Sequence, residues 1–350
     1  MISPHPDLAG RRRLACLALA TVLLGGSIGT RADVRPVPLE TVSLTPVADI
    51  PLGGRTTRLD YASYDGRRHL LFIAHLGDSA VIAVDTQTRK LVTRVPGVSQ
   101  VHGVLAIPDL GVVYASATGT NEVVAIDEST LRIVARAPAG VYPDGMAYAP
   151  EAHKLYVSDE HGASDTVIDV RTNRRVATIP LGGEVGNSQY DPVSQHVFAN
   201  VQTTGELVEM DPATDRVVGR TPLPGAQGNH GLLIDAAEKR AFIACEGNHR
   251  LLVLDLETRR ITFSADTGDD PDVLDYDPVF HRLYVAAESG DVAVFGTDGG
   301  TVRRIALGQL APNAHVVAVD RTTHEVFFPL RYVAGHPALR IVAPLPEKVR

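Results

Sequence analysis

Tryptophan is absent from the 350 residues, and cysteine and methionine are scarce, at two and three. Cys16 lies in an apolar run near the amino terminus, which leaves Cys245 alone in the rest of the chain, so no internal disulfide is expected. Cys245 sits in an apolar run of its own and reads as a small buried thiol. Compact chemical motifs are missing as well. There is no C-x-x-C-H for covalent haem, no G-x-S-x-G nucleophile elbow, no H-E-x-x-H and no glycine-rich phosphate loop, so neither haem nor a nucleotide is expected.

A basic excess is lacking too. Arg11, Arg12 and Arg13 precede an apolar run over residues 14–24, and Thr30-Arg31-Ala32 then supplies small residues of the kind read by a signal peptidase. Residues 1–32 therefore read as an export signal, too short for a spanning helix, and predict a periplasmic or secreted protein with no membrane span after cleavage. Beyond residue 32 the chain holds 29 basic and 40 acidic side chains, a net charge of -11. That balance speaks against a nucleic-acid partner, whose binding rests on neutralised phosphates.

What the sequence does have is a repeat. Phe72, Tyr114, Tyr156, Phe198, Phe242, Tyr284 and Phe327 follow one another at separations of 42, 42, 42, 44, 42 and 43 residues. Asp85, Asp127, Asp169, Asp211 and Asp255 keep the same rhythm and open turns such as Asp85 to Thr88, where a short side chain satisfies backbone amides. Each unit reads as four antiparallel strands, and the aromatic run is apolar on both alternating faces, as expected of a strand sandwiched between neighbouring sheets. Four-stranded units at this period predict an all-β, seven-bladed β-propeller with blades over 57–98, 99–141, 142–184, 185–227, 228–270, 271–313 and 314–344. Residues 47–54 match the fourth strand at 176–183, and the last unit lacks a fourth strand. The segment 42–54 is therefore expected to complete the seventh blade, making residues 33–350 one domain.

The phrases Leu155-Tyr156-Val157-Ser158, Val167-Ile168-Asp169 and Val176-Ala177-Thr178-Ile179-Pro180-Leu181-Gly182 resemble the repeats of the YVTN, or YncE-like, family of bacterial propellers over residues 42–344. The resemblance implies an exported propeller within a wider group that includes binding proteins, structural platforms, lactonases, lyases and metal-dependent oxidases. Function must then come from the site. A quinone-dependent (PQQ) propeller dehydrogenase would carry blade tryptophans, which this chain lacks. The same absence argues against a WD-repeat propeller.

Twelve residues before each aromatic, where the inner strands begin, stand Asp60, His102, Asp144, Gly186, His230, Asp272 and His315, with Asn187 following Gly186. Four residues after it stand Leu76, Thr118, Glu160, Gln202, Glu246, Glu288 and Arg331, with His75 before Leu76 and one step out of register. The strand order brings both sets to one mouth of the central channel. His102, His230 and His315 are the expected ligands of a divalent metal such as copper or zinc. Glu246, Glu160 and His75 are the candidate acids or bases, and Asp60, Asp144, Asn187, Asp272 and Arg331 the candidate ligand contacts, Arg331 for a substrate carboxylate. Asp266, Asp269, Asp270 and Asp272 crowd one loop with oxygen ligands of the kind calcium takes. The leading reading is a monomer that binds a small molecule, with or without a metal, at this mouth. A metal-dependent enzyme (lactonase, lyase or copper-type oxidase) using the same residues, and a scaffold for a periplasmic protein, are the alternatives.

Overall fold

Polar turns and apolar runs alternate along the chain, and each repeat folds accordingly into four antiparallel strands. In the first blade these are Ala62–Asp65, Leu70–His75, Ala80–Asp85 and Lys90–Pro96. The structure is a computed structural model that describes residues 42–345; the expected export signal, with Arg11, Arg12, Arg13 and Cys16, lies outside the described residues. Seven four-stranded sheets follow in succession, and helix among the described residues is limited to three-residue turns. The fold is the expected seven-bladed β-propeller.

The seventh sheet is built from both ends of the described chain. Leu44–Pro51 pairs antiparallel with His336–Pro344 and forms the outermost strand beyond Val326–Val333 and Ala318–Val319. Arg340 grips the two oxygens of Asp49 at 2.9 and 2.8 Å, so an ion pair reinforces the closing register. The N-terminal strand thus closes the last blade as the repeat mismatch predicts.

All seven marker aromatics are at most 2% exposed. Cutting one back to alanine in such a core costs ~3–5 kcal/mol. Two of the three marker tyrosines find an acceptor further along the chain, the Tyr114 hydroxyl donating to Asn173 at 2.7 Å and that of Tyr156 to Asp215 at 2.8 Å, whereas the buried Tyr284 hydroxyl has no partner. The Asp-led turns close as expected, with the Asp127 carboxylate accepting from Ser129 and Thr130, which hold its pKa down at about 2. Outermost strands such as Arg216–Pro222 alternate between exposed and covered residues and carry arginines, a protection against edge pairing.

One irregularity recurs where it matters for the site. The pairing of the inner strand with the second strand skips between Val101 and Val104, Pro143 and Met146, Val185 and Ser188, Asn229 and Leu232, and Pro271 and Leu274. In the first blade Ala74 bonds both the Asp60 amide and the Tyr61 carbonyl. Each is a β-bulge, which kinks the strand and re-aims the side chains it carries. The bulged pairs include His102-Gly103, Asp144-Gly145, His230-Gly231 and Asp272-Val273. In the second and fifth blades the second residue is glycine for a steric reason: a Cβ on Gly103 would lie 2.2 Å from the Asp144 carbonyl oxygen, and one on Gly231 2.1 Å from that of Asp272.

Candidate functional site

The bulges deliver Asp60, His102, Asp144, His230 and Asp272 to the wall of a cavity of about 410 Å³ at one mouth of the channel. Leu76, Glu160, Glu246 and Glu288, at the ends of second strands, line it as well. Seven carboxylates border this space, counting Asp270, and among the described residues Arg58 is the sole arginine or lysine in the lining. The site is therefore a cavity lined mainly by acidic side chains.

Two groups of possible cation ligands form there among the described residues, Asp60 with Asp272 and His315, and His230 with Glu246 and Asp272. In the first, His315 Nε2 lies 3.8 Å from Asp60 Oδ1 and 3.9 Å from Asp272 Oδ2. In the second, His230 Nδ1 is 3.7 Å from Glu246 Oε1, and Nε2 is 3.7 Å from Asp272 Oδ1. These separations are too long for hydrogen bonds. Donors sharing one tetrahedral zinc at ~2.1 Å sit ~3.4 Å apart, so the first group is spaced close to a ligand set, while in the second the two carboxylates face different nitrogens of the His230 ring.

Hydrogen bonds behind the imidazoles decide which nitrogens are available. His315 Nδ1 donates to the Asn313 carbonyl at 3.3 Å, which leaves Nε2 as the nitrogen with a lone pair. The Tyr61 hydroxyl gives its single proton to Asn187 Oδ1 at 2.8 Å, so its contact with His230 Nε2 at 3.1 Å is donated by the imidazole. In the neutral ring His230 Nδ1 then carries the lone pair, which a cation claims by displacing the proton that the neighbouring carboxylates otherwise hold there up to about pH 9. Both freed nitrogens, His315 Nε2 and His230 Nδ1, are buried with no hydrogen-bond partner, as are Asp272 Oδ1 and Asp144 Oδ1. Buried polar atoms left open in this way are costly in a finished interior.

His102 stands differently. Its Nδ1 donates to the Gln100 carbonyl at 2.9 Å and its Nε2 accepts from the Tyr142 hydroxyl at 3.0 Å, so both nitrogens are engaged. The structure does not bring the three imidazoles to a common point: His230 and His315 meet through Asp272, whereas His102 approaches only Asp60, at 3.8 Å. His75 is buried outside the cavity lining, held by Thr57 at 3.0 Å and Arg94 at 3.2 Å. Arg331 is exposed and also outside the lining. Asn187 also lies outside this lining: it borders a second cavity of about 350 Å³, and Tyr61, which lines both cavities, crosses the channel to reach it. The acidic loop does not gather: Asp266, Asp269 and Asp270 are exposed, with Asp266 paired to Arg250 at 3.1 Å, and only Asp272 is buried among the ligand groups.

Crowding of acids around imidazoles sets the protonation. For His230, burial opposes the charged form, but Glu246, Asp272 and Asp144 outweigh it and raise the pKa to about 9. Burial lifts Glu246 to about 7, with His230 pulling the other way and Asp272 and Glu160 adding to the rise. Asp144 and Asp272 are raised mainly by burial, partly offset by His230. Asp60 is held low against its burial by His315 and by Arg58, whose Nε bonds it at 2.9 Å.

Three residues that shape the site escape the counting by twelve. Arg58 reaches Asp60, Asp272 and Glu288; Tyr142 caps His102 and packs at a tilt against His161 with ring centroids 4.3 Å apart; Tyr61 bridges the channel to Asn187. Arg58 and Tyr142 share the position fourteen residues before the aromatic, and Tyr61 stands eleven before it. All three stand just before the inner strands Ala62–Asp65 and Pro143–Ala149, so a count extended to the residues leading into each inner strand finds them.

No protein-family model matches the chain, and no curated protein matches its sequence. Solved structures do resemble it. A chain of hydrazine synthase from Kuenenia stuttgartiensis has 16% sequence identity and a TM-score of 0.70, covering 90% of this chain and 98% of that one. A chain from the mitotic checkpoint complex has 11% identity and a TM-score of 0.71, covering 94% and 99%. At such identities the likeness speaks for the propeller fold alone.

Proposed function

We propose that this propeller binds a small molecule at the channel mouth with the help of a divalent cation held by His315 Nε2, Asp60 and Asp272. The observation that carries the reading is the set of buried, unpartnered atoms, His315 Nε2 and Asp272 Oδ1 among them, beside a cavity where carboxylates outnumber fixed cations. An imidazole with two carboxylates suits zinc better than calcium, which takes six to eight oxygens, and supplies no soft sulfur ligand for copper(I). Three protein ligands leave a fourth position open to a ligand in the cavity. Calorimetric titration of chelator-treated protein with zinc tests this: His315→Ala is expected to weaken binding at least tenfold with the fold retained by circular dichroism. Undetectable binding by the parent protein, or unchanged binding by the variant, refutes it.

A catalytic use of the same site is favoured by Glu246. It is partly exposed at the rim, faces His230 Nδ1 and has a pKa of about 7, suited to a general acid or base. The reading also takes the chain as an exported monomer of the YVTN type, supported by the arginine-led apolar segment and the Leu155-Tyr156-Val157-Ser158 phrase. Recovery of processed protein in a periplasmic fraction is the matching check on export.

A further inference from the structure

We propose that the mouth holds two divalent cations bridged by Asp272, one on His315 and Asp60 and the other on His230 and Glu246. This rests on the reading of the mouth as a cation site and specifies its stoichiometry. Asp272 belongs to both groups of candidate ligand atoms, those of each group lying within 4.8 Å of one another; its Oδ2 is 3.9 Å from His315 Nε2, and its Oδ1 is buried without a partner. Each side has its own second carboxylate, Asp60 Oδ1 at 3.8 Å from His315 Nε2 and Glu246 Oε1 at 3.7 Å from His230 Nδ1. A carboxylate shared between two such sets is the arrangement of two-metal centres, whose ions lie ~3.5–4 Å apart.

The two imidazoles are prepared in opposite senses. The Asn313 carbonyl fixes the proton of His315 on Nδ1, while Tyr61, committed to Asn187, fixes that of His230 on Nε2. In each ring the nitrogen left with a lone pair is the buried one without a partner, and in each it faces a carboxylate. A solvated polar rim gives no reason for both rings to be pinned this way. Carboxylates also outnumber the fixed cations of the lining, where Arg58 is the sole arginine or lysine among the described residues. Tyr61 is then a positioning residue for the second cation, and Arg58, bonded to Asp60 Oδ2, turns Oδ1 towards the first.

Native mass spectrometry of the chelator-treated protein titrated with zinc alone tests the proposal. The parent protein is expected to take two zinc ions, and His230→Ala and His315→Ala one each. Tyr61→Phe, which removes the phenolic oxygen that accepts from Nε2 but keeps the ring, is expected to weaken the second ion about tenfold and spare the first. Manganese loading supplies a readout independent of any variant, since two bridged Mn(II) ions give an exchange-coupled electron paramagnetic resonance spectrum. Saturation at a single ion, or His230→Ala still taking two, overturns the two-cation assignment while leaving the single site standing. No zinc uptake by the parent overturns both, and two uncoupled manganese signals overturn the bridge.

Discussion

Replacing Asp165 by asparagine is expected to stabilise the protein at pH 8 and to do little or no good at acid pH. Asp165 is fully buried on strand Ser164–Asp169, next to Asp159; one oxygen accepts from Ser188 Oγ at 3.0 Å and the other has no partner. Burial, and then the neighbouring charge of Asp159, raise its pKa from 3.8 to about 7, with the Ser188 hydroxyl opposing. An acid whose pKa is raised by folding keeps its proton in the folded state after the unfolded chain has lost it. Its stabilising balance is therefore complete below pH 3.8, declines as the pH rises and is gone above about 7. The interval between those two values corresponds to ~4 kcal/mol, of which an asparagine that stays neutral throughout should recover a large part at pH 8, an order-of-magnitude figure. Urea denaturation of parent and variant at pH 5 and pH 8 measures it. The variant's advantage should grow by ~2–4 kcal/mol between the two conditions. A difference that is the same at both refutes the assignment of a buried, proton-retaining Asp165.

Two other substitutions probe the site's construction. Gly231→Ala places a Cβ against the Asp272 carbonyl, so it should cost ~1–3 kcal/mol in urea denaturation and, by displacing Asp272, weaken zinc uptake; unchanged stability contradicts the close approach of these blades. Glu246→Gln should abolish any hydrolytic turnover found in a lactone panel: loss of turnover with the zinc stoichiometry unchanged marks Glu246 as the acid or base, loss together with one zinc marks it as a ligand of the second ion, and turnover that survives removes it from catalysis.

The ring itself was legible because a propeller writes its period into buried aromatics: Phe72 to Phe327 must each fill the same slot between sheets, and the segment before the first blade had to go where a strand was missing. The polar mouth was legible for the same reason, since Asp60, His102, Asp144, His230, Asp272 and His315 hold equivalent positions. Which of them can serve as ligands was not. That depends on Tyr142 occupying His102 Nε2 and on Tyr61 turning His230 the other way, contacts made between blades 40 and 169 residues apart in sequence. Strand alternation also misleads at a bulge, where Asp60 and Tyr61 both reach the channel although neighbours on a regular strand point apart. His75 shows the rule holding where the strand is regular: one residue out of register, it turns away from the cavity to Thr57 and Arg94.

The central claim is that a divalent cation sits among His315, Asp60 and Asp272. Anomalous diffraction at the zinc edge from crystals of zinc-loaded protein tests it most directly. A strong peak is expected ~2.1 Å from His315 Nε2 and within ligand distance of both carboxylates. Peaks confined to exposed histidines such as His161, with none at the channel mouth, would contradict it.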